Sequence, residues 1–266
     1  MPHIIFQNKK IFYRAEGEGK VVLLLHGFAE DGNVWNPQFD LFKNNHFLIV
    51  PDLPGSGQSE ILEGACTLSD YAEVIKAIVE EELSKNQETT FSLIGHSMGG
   101  YITLAFAEKY PEMLASFGLF HSSAFADDEP KKDTRRKAIE FIKSNGAEAF
   151  LKTSIPNLFS EETRKKKPEL VEKLMSIAMH ISAGALIQYY EAMILRPDRT
   201  SVLKAFSKPV LFMIGAHDTA IPLQASLRQC YLPPVSSVHI LNNSGHMGMW
   251  EEEQKANGYL SAFLDL

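Results

Sequence analysis

The chain has 266 residues, 45% hydrophobic and 22% charged, ordinary proportions for a globular fold large enough to bury a substantial core. Its net charge of −7 excludes a general nucleic-acid binder, because phosphate recognition needs a basic surface. No run approaches a membrane span, no basic end followed by an apolar stretch marks a secretory signal, and Cys66 and Cys230 make no disulfide framework, so a cytoplasmic setting without membrane contact is expected.

Two short strands come first, Ile4–Gln7 and Ile11–Ala15, joined at Asn8-Lys9. Short apolar runs then alternate with helical patterns. Val21–Leu25 leads into His26-Gly27-Phe28, and Phe47–Val50 leads into Pro51-Asp52-Leu53-Pro54-Gly55-Ser56-Gly57. Thr67 and Asp70 have capping-box spacing ahead of a helix with the face Leu68, Tyr71, Ile75, Ile78, Val79 and Leu83. Phe91–Ile94 leads into Gly95-His96-Ser97-Met98-Gly99 and a helix over Tyr101–Tyr110. Phe117–Phe120 ends at His121-Ser122-Ser123, Val210–Ile214 at Gly215, and Val238–Leu241 at Asn242-Asn243. These runs are continuous rather than alternating, the pattern of parallel strands buried on both faces. The fold class is therefore α/β, a mostly parallel sheet with helices on both sides.

The alternation stops between residues 122 and 200. That stretch lacks strand runs and carries helical patterns over Thr134–Lys143, Glu161–Lys173 and Ala183–Leu195, punctuated by Pro130, Pro156 and Pro168. It reads as a helical insertion over the C-terminal edge of the sheet, between core segments 1–121 and 201–266. The basic run Arg164–Lys167 and the acidic cluster 127–129 are expected to be solvated.

The chemistry concentrates at Gly95-His96-Ser97-Met98-Gly99. A strand, a Gly-x-Ser-x-Gly pentapeptide and a helix describe a sharp turn that holds a serine hydroxyl at the mouth of a sheet. The helix N-terminus adds backbone N–H groups and a partial positive charge. A serine needs a base and a group that orients the base. His246, in the loop after the last strand run, is the best placed of nine histidines. Asp218 directly follows another strand run, whereas Asp52 sits ahead of a Pro-Gly turn and Asp198 reads as a helix cap. The N–H groups of Met98 and Phe28 are placed to hold an oxyanion, with His26 bracing the Phe28 loop. Trp35, Phe125, Met247 and Met249 are candidate pocket residues. No cluster has metal-ligand spacing such as His-Glu-x-x-His, so neither metal nor cofactor is expected.

Taken together, His26-Gly27-Phe28, the segment Asp52–Ser59, Gly95–Gly100, Gly215-Ala216-His217-Asp218 and Gly245-His246 resemble the α/β-hydrolase superfamily along essentially the full length. The resemblance implies an eight-stranded sheet with a helical cap and the triad Ser97, Asp218 and His246. Epoxide hydrolases and haloalkane dehalogenases of this superfamily carry an aspartate where this chain has Ser97. Prolyl iminopeptidases usually carry a tryptophan in the pentapeptide. Carboxylesterases, thioesterases, carbon–carbon bond hydrolases and perhydrolases remain. The reading is a serine hydrolase of a small acyl molecule, foremost a carboxylic ester. The alternatives are a carbon–carbon bond hydrolase or lyase on a diketone-like acid, which needs a pocket arginine such as Arg196 or Arg199, and a ligand-binding protein without turnover.

Overall fold

The computed structural model describes residues 1–266. In chain order the strands are β1 (His3–Phe6), β2 (Lys9–Glu16), β3 (Val21–Leu25), β4 (Phe47–Pro51), β5 (Phe91–His96), β6 (Leu114–Phe120), β7 (Val210–Gly215) and β8 (Ser236–Leu241). The core helices are α1 (Asn36–Phe42), α2 (Leu68–Asn86) and α3 (Met98–Lys109). Between β6 and β7 come α4 (Glu129–Ser154), α5 (Glu161–Lys166), α6 (Pro168–Ala178), α7 (Ala183–Ile194) and α8 (Thr200–Ala205). The chain ends with α9 (Leu223–Leu227), α10 (Gly248–Glu251) and α11 (Glu253–Leu264).

All eight strands form one sheet in the order β1-β2-β4-β3-β5-β6-β7-β8. β1 and β2 pair antiparallel, as do β2 and β4, and every other neighbouring pair is parallel. Every residue of β3 and β7 is buried, whereas edge strand β8 stays largely half-exposed. Consecutive residues therefore feed opposite layers. Leu23, Leu93 and Phe117 pack with Ile75 of α2 and Ile102 of α3. Leu24, Ile94 and Leu211 pack with Phe39 of α1 and Leu260 of α11, and that layer continues into Leu151, Leu174 and Leu186 of the insertion. Each such side chain contributes about 1.5–3 kcal/mol on burial.

Local sequence sets the helix limits. Thr67 and Asp70 close a reciprocal capping box at the start of α2. The helix expected over Thr134–Lys143 runs instead from Glu129 to Ser154, bent where Gly146 takes φ 85°. The helix expected over Glu161–Lys173 divides into α5 and α6, because Pro168 opens a new helix and cannot continue the old one. Lys165 and Lys166 pair with Glu161 and Glu162 on a solvated face. Asp127 departs from expectation: it is buried, with Arg135 Nε 2.6 Å from one carboxylate oxygen and Arg196 Nη1 2.9 Å from the other. Cys66 and Cys230 are both buried and unpaired. No single helix is long and apolar enough to cross a membrane.

Candidate active site

Ser97 stands between β5 and α3 with φ 52° and ψ −116°, a left-handed backbone that costs a serine on the order of 1–3 kcal/mol. Close packing imposes this turn. A Cβ on Gly95 would lie 2.3 Å from Gly99 O, and one on Gly99 would lie 2.6 Å from His26 O. The Ser97 hydroxyl makes no cap bond to the helix, and its carbonyl is tied down by Ser122 Oγ at 2.7 Å. The peptide N–H groups of Phe28 and Met98 donate to no protein acceptor. Gly27 brings the Phe28 loop against the serine, since a Cβ there would sit 3.0 Å from Ser97 Cβ. His26 braces that loop: its Nε2 accepts from Leu53 N–H at 2.9 Å, and its Nδ1 lies 2.9 Å from Gly27 O.

Asp218 and His246 come together from the loops after β7 and β8, with Asp218 Oδ2 2.7 Å from His246 Nδ1. Asp218 Oδ1 accepts from Ala220 N–H at 2.8 Å and Ile221 N–H at 2.9 Å. Burial opposes ionisation of Asp218, but the positive potential of His246 and the imidazole donors outweigh it and hold the carboxyl well below the usual carboxylate range. Asp198 caps Thr200 N–H at 3.0 Å, and Asp52 accepts from Gly32 and Gln58 N–H at 2.9 Å, so both serve backbone turns.

Several supporting groups escape sequence reading because their partners are remote. His96 Nδ1 lies 3.0 Å from Glu30 Oε2 and its Nε2 2.8 Å from His246 O. Both ring nitrogens face acceptors, which is the arrangement of an imidazolium. Burial opposes that charge, but the Glu30 carboxylate prevails and raises the His96 pKa. Glu251 Oε1 accepts from Gly245 N–H and Met247 N–H, and its Oε2 accepts from Ser160 N–H. His246 N–H donates to Leu158 O at 2.6 Å. The loop of His246 is thus fastened to the insertion as well as to the core.

Of the expected pocket residues, Trp35, Met247 and Met249 have no exposed surface and belong to the core, with Trp35 edge-on to His96. Phe125 is half-buried beside a cavity of about 810 Å³ shared with Asp127, Arg196 and Arg228. An aromatic cluster forms instead around Phe28, in the loop that approaches the serine. The Phe28 ring stacks on Tyr190 at 4.3 Å and meets Phe150 and Tyr189 edge-on at 6.3 Å. Tyr189 and Tyr190 lie on α7 and Phe150 on α4, so the insertion supplies its other rings. The adjacent tyrosines of α7 are the one sequence signal for it. His121, Asp218 and His246 also offer one potential metal-ligand atom each within 4.8 Å of one another. The hydrogen bond from His246 and the close approach of His121 to the same carboxylate account for that proximity.

Residues 20–253 match the family profile of the α/β hydrolase fold. The chain belongs to the α/β-hydrolase fold family. Among curated relatives, this α/β hydrolase is 26% identical to the 2-hydroxy-6-oxononadienedioate/2-hydroxy-6-oxononatrienedioate hydrolase of Paraburkholderia phymatum, covering 96% of this chain and 91% of that one. It superposes on a thermophilic esterase from Thermogutta terrifontis, described with malate bound, at a TM-score of 0.91 and 27% identity, covering 99% of this chain and 97% of that one. It shares its fold with the enol-lactonase of Burkholderia xenovorans at a TM-score of 0.89, 17% identity and complete coverage of both chains. The chain is a hydrolase of the α/β fold, and its relatives include both esterases and carbon–carbon bond hydrolases.

Proposed function

We propose that this hydrolase cleaves small carboxylic esters through an acyl-enzyme on Ser97. In this reading Ser97 Oγ attacks the substrate carbonyl while His246 Nε2 takes its proton. The Phe28 and Met98 N–H groups hold the oxyanion. Collapse of the tetrahedral adduct expels the alcohol, which receives the proton from His246. Water then repeats the sequence on the acyl-enzyme and frees Ser97. Asp218 fixes the Nδ1–H tautomer of His246 and offsets its charge. The helices over residues 122–200 serve as the cap that closes on the substrate. The observation that carries the reading is Ser97 on its strained turn, with an uncommitted hydroxyl and two unclaimed N–H groups beside it.

The experiment is covalent labelling. A fluorophosphonate should attach once to the wild type and not at all to Ser97→Ala, which should also lose aryl-ester turnover. Persisting label in Ser97→Ala would sink the assignment.

Carbon–carbon bond hydrolysis of a diketone-like acid is the second reading, and one observation favours it. Neither Arg196 nor Arg199 is free: Arg196 is bound to Phe125 O and Asp127, and Arg199 to Glu108 and Ser69. Arg135 is different. Its Nε holds Asp127, but its two terminal amino groups make no protein hydrogen bond. Its guanidinium carbon lies 5.6 Å from the ring centre of Tyr190, which stacks on Phe28. In this second reading those amino groups receive the substrate carboxylate. Arg135→Met should raise KM for acidic substrates and spare neutral esters. Purified protein assayed on both classes decides which bond is preferred.

A further inference from the structure

Asp218 serves two imidazoles. Its Oδ2 lies 2.7 Å from His246 Nδ1 and 3.2 Å from His121 Nδ1. His121 follows β6, with no exposed side-chain surface and a left-handed backbone at φ 49°. Space for its ring is cut by two glycines: a Cβ on Gly215 would meet His121 Cε1 at 2.7 Å, and one on Gly248 would meet His121 Nε2 at 2.4 Å. Sequence reading gives this histidine no role.

The surroundings select its tautomer. His121 Nε2 is 3.2 Å from Gly248 N, which can only donate. At Nδ1, the Gly215 N–H points at the ring nitrogen from 3.1 Å, and Asp218 Oδ2 stands beside it at 3.2 Å, off the line of a hydrogen bond. With the proton on Nδ1, the ring sets that proton beside a carboxylate oxygen and accepts from Gly248, and gives up the bond from Gly215 N–H. With the proton on Nε2, it accepts from Gly215 but sets a lone pair against the carboxylate and an N–H against Gly248 N–H. Each tautomer keeps one accepted backbone N–H, so the buried carboxylate decides: it attracts a proton on Nδ1 and repels a lone pair there.

We propose that His121 is a positioning residue for Asp218, donating from Nδ1 to the oxygen that also receives His246 and so fixing how strongly that carboxylate pulls on the base. The proposal rests on the reading of Ser97, Asp218 and His246 as the catalytic triad. The groups around the carboxylate are His246 from the loop after β8, His96 from the end of β5 with its ring centre 6.0 Å from His121, and Glu30 behind His96. Burial, helped by His246 and His96, pushes His121 down to about 4, so it stays a neutral donor across the working range. A second donor on one oxygen withdraws charge from the bond to His246. Removing it leaves Asp218 a stronger acceptor but less firmly held.

The experiment compares His121→Leu, which has no donor, with His121→Asn, whose Nδ2 falls where Nδ1 lies. In His121→Leu, kcat/KM for an aryl ester should fall roughly tenfold, the worth of one hydrogen bond to a charged group. The midpoint of its rise with pH should move upward by about half a unit. His121→Asn should return the midpoint to the wild-type value and recover most of the rate. A purely structural histidine would cost rate and melting temperature without moving the midpoint, and an unmoved midpoint in His121→Leu overturns the proposal. If His121→Leu does not fold, ¹⁵N imidazole shifts of the wild type decide: neutral Nδ1–H between pH 8 and about 5 supports the role, and Nε2–H or a charged ring overturns it. Loss of fluorophosphonate label in Ser97→Ala, together with a negative result at His121, removes this proposal and leaves the triad standing; label retained in Ser97→Ala removes both.

Discussion

At the scale of single residues, what separates Asp218 from its rivals is what each carboxylate holds. Asp218 holds an imidazole as well as backbone N–H groups, whereas Asp52 and Asp198 hold no imidazole. Asp218→Asn should therefore keep the fold and lower kcat by about 10³–10⁴, the cost of a wrongly held histidine tautomer. Asp198→Asn, remote from any imidazole, should change kcat little, and steady-state kinetics on the two proteins is the check. Asp127 is a stability residue of another kind. Its carboxylate has no exposed surface and stands against Arg135 and Arg196, whose side chains are 12% and 3% exposed. One of its oxygens contacts Arg196 without an aligned hydrogen bond. Burial opposes its charge, and the Arg135 guanidinium holds its pKa below the usual value all the same. Asp127→Ala strands two buried cations and should cost about 3–5 kcal/mol, read as a fall in the midpoint of urea unfolding. Sequence reading could single out Ser97, Asp218 and His246 as candidates because each follows an apolar strand run by a few residues. It could not find Glu30, His121 or Asp127, since nothing local distinguishes a charge that will be buried from one that will be solvated. The partners lie 66 and 97 residues away in Glu30–His96 and His121–Asp218, and Asp127 is enclosed by Arg196, 69 residues on, as well as by nearby Arg135.

At the scale of elements, the strands are legible and the insertion only partly so. β3, β5 and β7 are apolar runs buried on both faces, so composition alone marks them. The capping box of α2 is legible because both partners sit in one turn. The insertion helices shift from their expected limits where one residue decides: Gly146 bends α4, and Pro168 starts α6. The placement of Tyr190 against Phe28 depends on how α7 lies over the loop after β3, a tertiary fact without local signature. Helix α11 offers a test of local propensity free of such context. Gly258 lies in its interior, exposed, and a methyl group at its Cα would have no neighbour within 4 Å. Gly258→Ala should stabilise the protein by about 0.5–1 kcal/mol. Gly95→Ala should do the reverse, because its methyl meets the backbone of Gly99 at 2.3–2.4 Å and pushes α3 away from the strand. Thermal melts of the two variants should move in opposite directions, and destabilisation by Gly258→Ala would show an unseen constraint on α11.

At the scale of the whole molecule, buried titratable groups determine how stability depends on pH, and their signs differ. Asp218, Glu30 and Asp127 are each opposed by burial, yet each is held below its ordinary pKa by neighbouring positive charge. Their contribution is complete above the unfolded value near ~4 and is lost as pH falls through the lower folded values. His96 acts in the other direction. Its folded pKa is raised above 6.5, so its contribution is complete below that value and lost as pH rises through the folded one. His121 brings an earlier loss on the acid side. The unfolded chain takes up this proton below 6.5, whereas the folded protein refuses it until about 4, so stability falls across that window. Maximum stability should lie near neutrality, with a decline that begins below pH 6.5 and steepens below about 4. Urea unfolding at pH 7, 6 and 5 measures the first part of this decline. Removing one linked proton should flatten the slope between pH 6 and 5 in His121→Leu, by up to about 1.4 kcal/mol per pH unit relative to the wild type. Equal slopes in the two proteins would mean that His121 takes up its proton inside the fold as readily as outside it, and would remove the neutral donor from Asp218.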